Sequence, residues 1–407
     1  MKKNKYFKKN HYQHFIFIFI IFLSNCKSTV KIDSVAFVPE IDTSVIVGAE
    51  RVFEYIPLLE NKNIAVLVNQ TSMVHDQHIV DMLVELGLDL KIIFAPEHGF
   101  RGNKGAGEEI FDGVDDKTEI SIFSLHGKIK KPTFEQLKKI DILLFDIQDV
   151  GVRYYTYISS MHYLMEACAE YSIPLVILDR PNPNGNRVNG PVLDLSYQSF
   201  VGMHPIPLLH GMTVAEIALM INGEGWLPGG NKCELHIVKV KNYTHSTVYS
   251  LPVAPSPNLP NDLSVFLYPS LGLFEGTAVS VGRGTSLPFQ VLGYPLSTMG
   301  DFSFTPEKIS GSWSQLNFAG EKLFGEKFEA SDTQNNLLDA LIKWHQKFKK
   351  HGLEFFTRKS FFDKLAGNST LRNQIETGKT AIEIEQSWQQ SLQQFKLLRS
   401  QYLLYPD

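Results

Sequence analysis

Short apolar runs alternate with amphipathic stretches through the first half of the chain. Residues 64–68, 91–95, 120–124, 142–145 and 175–178 are runs too short for a helix and apolar on both alternating faces, the pattern of strands buried on both sides of a sheet. Between them, 79–86, 134–139 and 160–171 carry apolar residues at helical spacing. The second of these opens with Thr133 and has Gln136 three residues on, a capping box. Strands separated by helices in this rhythm predict an α/β fold built on a parallel, Rossmann-like sheet. A further capping box, Thr213 to Glu216, predicts a helix running to about Asn222.

The rhythm is lost further on. Residues 252–260 are rich in Pro, residues 277–285 carry small and Gly positions around Arg283, and two later helices are expected at 336–349 and 384–398. Ile384, Trp388, Leu392 and Phe395 share one face of the last. We therefore expect a boundary loosely near residue 262, between a Rossmann-like domain over 47–262 and an α+β C-terminal domain over 263–407.

The N-terminus has a different character. Five Lys in the first nine residues precede an uninterrupted apolar run from Phe15 to Leu23, followed by Ser24, Asn25 and Cys26. A basic segment, an apolar stretch too short to span a bilayer and a Cys at the cleavage point predict a bacterial lipoprotein signal over 1–25, lipidation of Cys26 and a tether over 26–46. The expected location is the cell envelope, at the periplasm or outer membrane. Only Cys168 and Cys233 remain, too few for a disulfide framework or a cysteine zinc site, and Cys168 falls in an apolar helical pattern. Net charge is −4 with no basic block beyond the signal, which argues against a nucleic-acid partner.

Polar chemistry accumulates at the strand ends. Asn69 follows the first strand, and Glu97, His98 and Arg101 follow the second. Asp146, Asp149, Arg153 and Tyr155 follow the fourth, and Asp179, Arg180 and Asn182 the fifth. Parallel strands place their C-termini on one edge, so these residues are expected to converge there. Acids that move protons, Arg that clamps an anion and Tyr that stacks on a pyranose point to a sugar-like substrate. No His spacing suits a metal, and neither a dinucleotide fingerprint nor a P-loop is present; no metal or cofactor is expected.

The motifs Phe94-Ala95-Pro96-Glu97-His98-Gly99-Phe100-Arg101-Gly102, the stretch from Asp146 to Tyr157, and Leu178-Asp179-Arg180-Pro181-Asn182-Pro183 then acquire a context. So do Ser199-Phe200-Val201-Gly202, His210-Gly211-Met212-Thr213, Pro255-Ser256-Pro257-Asn258-Leu259-Pro260, Phe274-Glu275-Gly276-Thr277 and Gly282-Arg283-Gly284-Thr285. In this order they resemble the exo-β-N-acetylmuramidase (NamZ-type) family, glycoside hydrolase family 171. The resemblance runs from about Val47 to Leu403-Leu404-Tyr405.

It implies a Rossmann-like domain with a smaller C-terminal domain, an active site in the cleft between them, and no cofactor. It also implies removal of terminal, non-reducing N-acetylmuramic acid (MurNAc) from peptidoglycan fragments such as MurNAc-GlcNAc. His210, Ser256, Asn258, Glu275 and Arg283 join the strand-end residues as candidate substrate contacts. Hydrolysis needs a proton donor and a second group supporting an oxocarbenium-like transition state. Glu97 is the expected acid and Asp146 the second carboxylate, with Asp149 as substitute and His98 beside the acid. Alternatively, the substrate's own 2-acetamido group acts as nucleophile. Arg180 is expected to read the lactyl carboxylate that distinguishes MurNAc from N-acetylglucosamine (GlcNAc), with Arg283 as the alternative. A broader exo-hexosaminidase and a glycan-binding lipoprotein without catalysis are the competing readings.

Overall fold

Six parallel strands form the central sheet of the computed structural model: β1 (Ile64–Val68), β2 (Leu90–Ala95), β3 (Ser121–Ser124), β4 (Ile142–Asp146), β5 (Leu175–Leu178) and β6 (Leu235–Val238). Their spatial order is β6-β5-β4-β1-β2-β3, and Gly113–Val114 adds antiparallel to the β3 edge. The structure describes residues 44–97, 99–101, 112–307, 317–334 and 338–407. The expected signal peptide, Cys26, nearly all of the tether, and His98 lie outside them.

The chain builds from β1 outward through β2 to β3, then returns to place β4 on the other side of β1. That reversal is the doubly wound topology, with its switch point between β1 and β4. Every residue of β1, β4 and β5 is buried, which is why these strands read as continuous apolar runs. Strand β6, Leu235-His236-Ile237-Val238, was not expected. It is an edge strand with three half-buried residues and a mid-strand His, so no apolar run marks it.

Helix Phe134–Leu137 begins at the expected box: the Thr133 amide donates to Gln136 Oε1 at 2.8 Å, and the Gln136 amide returns to Thr133 Oγ1 at 3.4 Å. Helix Tyr157–Tyr171 starts three residues before the expected Ser160, because the turn from Tyr157 to Ser160 is buried with the rest of its inner face. Cys168 lies on the buried face of this helix, and both Cys168 and Cys233 are free thiols.

After helix Asp262–Leu271 the chain forms an antiparallel sheet of Val291–Tyr294, Leu323–Lys327 and Phe302–Phe304, with Leu323–Lys327 central, followed by helices Asp339–Lys350, Lys359–Ala366, Thr370–Glu376 and Ala381–Arg399. Helix Ala381–Arg399 buries Ile384, Trp388, Leu392 and Phe395 as the periodicity requires. Ser44–Asp407 packs as one unit. The last residues fold back onto the first half: Tyr405 donates its hydroxyl to Asp179 at 2.6 Å and the Leu404 amide donates to Glu216 at 2.7 Å.

Candidate active site

Strand β2 ends at Ala95, and Pro96 turns the chain so that Glu97 leaves the sheet half-buried. Thr156, at the start of helix Tyr157–Tyr171, donates its hydroxyl to Glu97 Oε2 at 3.2 Å. Glu97 and Thr156 border a cavity of about 440 Å³ that Glu275, Arg283, Asn317 and Arg358 also line. That volume falls in the range of small-molecule sites. A smaller hollow of about 60 Å³ shares Glu97, Thr156 and Arg283 with it and adds Tyr155, Tyr157, Ser256 and Asn258.

The tyrosines after β4 fasten the lining together. Tyr154 donates to the carbonyls of Tyr268 at 2.7 Å and Pro269 at 3.0 Å, and Tyr155 donates to the Pro255 carbonyl at 2.7 Å. Tyr157 reaches the carbonyls of Glu97 and Pro255, each at 3.4 Å. The rings of Tyr155 and Tyr157 meet edge to face at 4.9 Å, and Tyr154 meets Tyr268 at 5.1 Å. Burial pushes all three phenols upward in pKa, so they stay neutral donors. These contacts give them a wall-building role in place of the expected stack on a pyranose.

In the same lining, Arg283 Nη2 lies 2.6 Å from Glu275 Oε1, and its guanidinium sits 5.1 Å over the Phe289 ring. Burial opposes its charge, but the Glu275 carboxylate outweighs that and holds the guanidinium above the usual arginine range. The cavity therefore holds two carboxylates, Glu97 and Glu275, the second fixed by an ion pair.

Several expected site residues are placed elsewhere. Asp146 is fully buried and accepts two bonds from Arg180, 2.6 Å from Nε and 2.8 Å from Nη2; Arg180 also donates to the Met73 carbonyl at 3.0 Å. Ser72 caps the Asp146 carbonyl. This pair and the Asn69–Ser72 turn occupy the β1/β4 switch point themselves, so Asp146 is not a second catalytic carboxylate and Arg180 is not free to read an anion. Asn69 is buried there with its carbonyl oxygen accepting from Thr71.

Asp179 accepts from Thr213, the Ala215 amide and Tyr405, making it the C-terminal anchor and not a substrate contact. Arg153 is buried and has no anionic partner among the described residues. It donates to the carbonyls of Pro191, Ile206 and Leu365 at 2.7, 2.8 and 3.0 Å, and burial lowers its pKa to about 9. Asp149 and Arg153, neighbours in the same stretch, do not pair with each other. Asn182 holds the turn that follows β5: its side-chain Nδ2 donates to the Met212 carbonyl, and Gly151, at φ +74°, leaves room where a Cβ would fall 2.1 Å from Asn182 Oδ1. His210 is buried and kept neutral, its pKa lowered to about 3 by burial and by Arg399 and Arg153. Arg101 is held by Asp115 and Asp81, outside the cavity lining.

Asp149 lies beneath the site. Its Oδ1 accepts from the Gly151 amide at 2.8 Å, Oδ2 has no partner, and burial raises its pKa to about 7. Between the ordinary value of 3.8 and about 7 the folded state binds more protons than the unfolded state, so stability falls as pH rises through that window. Asp149→Asn keeps an acceptor and removes the titration. Melting temperatures at about pH 5 and pH 8 are expected to diverge more for the parent than for the variant; equal divergence would contradict this assignment.

Of the expected contacts, the structure brings together Glu97, Tyr155, Ser256, Asn258, Glu275 and Arg283. It adds Thr156 and Arg358, which the sequence reading missed. Thr156 lay inside the Asp146–Tyr157 stretch but was overshadowed by its charged and aromatic neighbours. Arg358, in Thr357-Arg358-Lys359-Ser360, reads as an ordinary basic helix start.

The chain is similar to known proteins over most of its length. Residues 64–263 match the family described as exo-β-N-acetylmuramidase NamZ, N-terminal, and residues 266–405 match its C-terminal counterpart. The chain is 41% identical to the peptidoglycan β-N-acetylmuramidase NamZ of Bacillus subtilis strain 168, over 86% of this chain and 89% of that protein. Crystal structures of two DUF1343 family proteins from Bacteroides fragilis NCTC 9343 are also similar. One has a TM-score of 0.81 at 46% identity, the other 0.74 at 28%, and each match covers 89% of this chain and 99% of the other.

Proposed function

The chain belongs to the exo-β-N-acetylmuramidase NamZ family, and from that premise we propose that it is an exo-acting glycoside hydrolase releasing terminal non-reducing β-MurNAc from peptidoglycan fragments in cell-wall turnover. The observation that carries the chemistry is the placement of Glu97 on the same cavity as the Glu275–Arg283 pair. Thr156 donates to Oε2 of Glu97, which leaves Oε1 to carry the proton that the departing glycosidic oxygen needs. Glu275 is the second carboxylate, ion-paired with Arg283. From there it supports positive charge at the anomeric carbon or orients the substrate's 2-acetamido group. Glu97 lies in the segment matched by the N-terminal family model and Glu275 and Arg283 in the segment matched by the C-terminal one, so both segments contribute to the one cavity.

Purified protein given aryl β-MurNAc and aryl β-GlcNAc glycosides side by side tests the reading. Release from the MurNAc glycoside alone is the expected result. Equal release from both would make the protein a broader hexosaminidase, and release from neither would overturn the hydrolase reading.

The basic and apolar run ending at Cys26 supports a cell-envelope location on a lipidated Cys26. The Cys26→Ala variant is expected to leave the membrane fraction or stall in processing, because acyl chains supply most of the membrane affinity. Unchanged fractionation and processing would contradict the anchor.

A further inference from the structure

The MurNAc carboxylate needs a cation, and the arginines named so far are committed elsewhere. Arg180 is closed around Asp146, Arg153 around three carbonyls and Arg101 around Asp81 and Asp115. Arg283 is in the cavity but already neutralised by Glu275 at 2.6 Å; a second carboxylate there would face Glu275 as a like charge.

Arg358 is different. It borders the same cavity as Glu97, is exposed, and forms no ion pair with a carboxylate among the described residues. Its position is nonetheless set. The backbone amide donates to the Gly276 carbonyl at 3.1 Å, Nη1 donates to the Glu275 carbonyl at 3.3 Å, and the guanidinium lies 4.4 Å over the ring of Phe361, another cavity residue. An arginine held against an aromatic ring, with nitrogens left over and no counter-charge, is a preorganised carboxylate receptor.

We propose that Arg358 is the specificity-determining residue of this site, binding the carboxylate of the 3-O-lactyl ether and so distinguishing MurNAc from GlcNAc. The proposal rests on the hydrolase reading above and adds the group that selects its substrate. The charges divide cleanly: Glu97 serves the glycosidic oxygen, Glu275 and Arg283 neutralise each other, and Arg358 is the net positive charge facing an anionic substituent. Because Arg358 makes its contact away from the reacting oxygen, its loss is expected chiefly in KM, with kcat less affected.

The test crosses the charge of the residue with the charge of the substrate. Parent, Arg358→Gln and Arg358→Lys are assayed on aryl β-MurNAc, on its neutral lactyl amide and on aryl β-GlcNAc. Arg358→Gln is expected to lower kcat/KM on the MurNAc glycoside about 10–100-fold and to change the other two by less than about twofold, with Arg358→Lys recovering part of the loss. Equal losses on all three substrates would make Arg358 structural, and no loss on any would place the anion elsewhere; either result overturns the proposal. Calorimetric binding of free MurNAc separates it from the hydrolase reading. If the parent cleaves neither glycoside, weaker MurNAc binding by Arg358→Gln still supports the anion contact, and equal binding refutes it.

Discussion

Glu97→Gln is expected to lower turnover of a MurNAc-GlcNAc disaccharide by roughly 10²–10⁴-fold, the contribution of a positioned general acid. Gln preserves the shape of the side chain and can still accept from Thr156, so folding and substrate binding are left nearly intact. The missing proton matters most when the leaving oxygen is basic. A sugar hydroxyl leaves poorly without protonation, whereas an activated phenol does not need it, so an aryl glycoside is expected to lose much less rate than the disaccharide. Parallel kinetics on the two substrates check this. Near-parental turnover on both would remove Glu97 from the mechanism, and equal large losses on both would point to a role other than proton donation.

The second large effect is on stability. Arg180→Gln strands Asp146 as an uncompensated carboxylate at a position with no solvent exposure, and breaking a buried pair in this way costs about 3–5 kcal/mol. The cost is set by the burial of the remaining charge. Asp146→Asn combined with Arg180→Gln removes both charges and is expected to recover part of the loss. Denaturant unfolding of the single and double variants measures both quantities. An Arg180→Gln protein as stable as the parent but selectively impaired on MurNAc would restore Arg180 as the lactyl reader and contradict its placement at the switch point.

The difference between Glu97 and Asp146 explains how far the sequence could be read. The strands were legible because β1, β4 and β5 are buried on both faces and have no polar interruption. The rule that ligands gather at strand C-termini also pointed to the edge from which Glu97 and Thr156 border the cavity. It does not specify depth. Asp146 is the last residue within β4 and remains in the interior, where it needs Arg180 as a counter-charge. Glu97 stands two residues beyond β2, after a Pro, and emerges into the cavity. Asp179 misled for the same reason: a residue directly after β5 is used to fasten the C-terminal residues, a contact between positions 226 apart that no local pattern encodes.

The rest of the lining was legible only through motif resemblance. Glu275 and Arg283 lie in Gly-rich segments whose turns give no sign of which cleft they line, and the motifs named them without their pairing. Arg358 had neither a motif nor a strand end to mark it. Its significance comes from subtraction, once the structure shows which other guanidinium groups are already occupied. Strand β6 shows the same limit at the level of the fold, since edge strands lack the double-sided burial that makes central strands recognisable.

The account turns on where the sugar binds. A crystal structure of Glu97→Gln with a MurNAc-GlcNAc disaccharide locates it directly. The account predicts the glycosidic oxygen beside residue 97, the acetamido face toward Glu275 and the lactyl carboxylate at Arg358. A disaccharide bound instead at the β1/β4 switch point, against Asp146, Asp179 and Arg180, would contradict it.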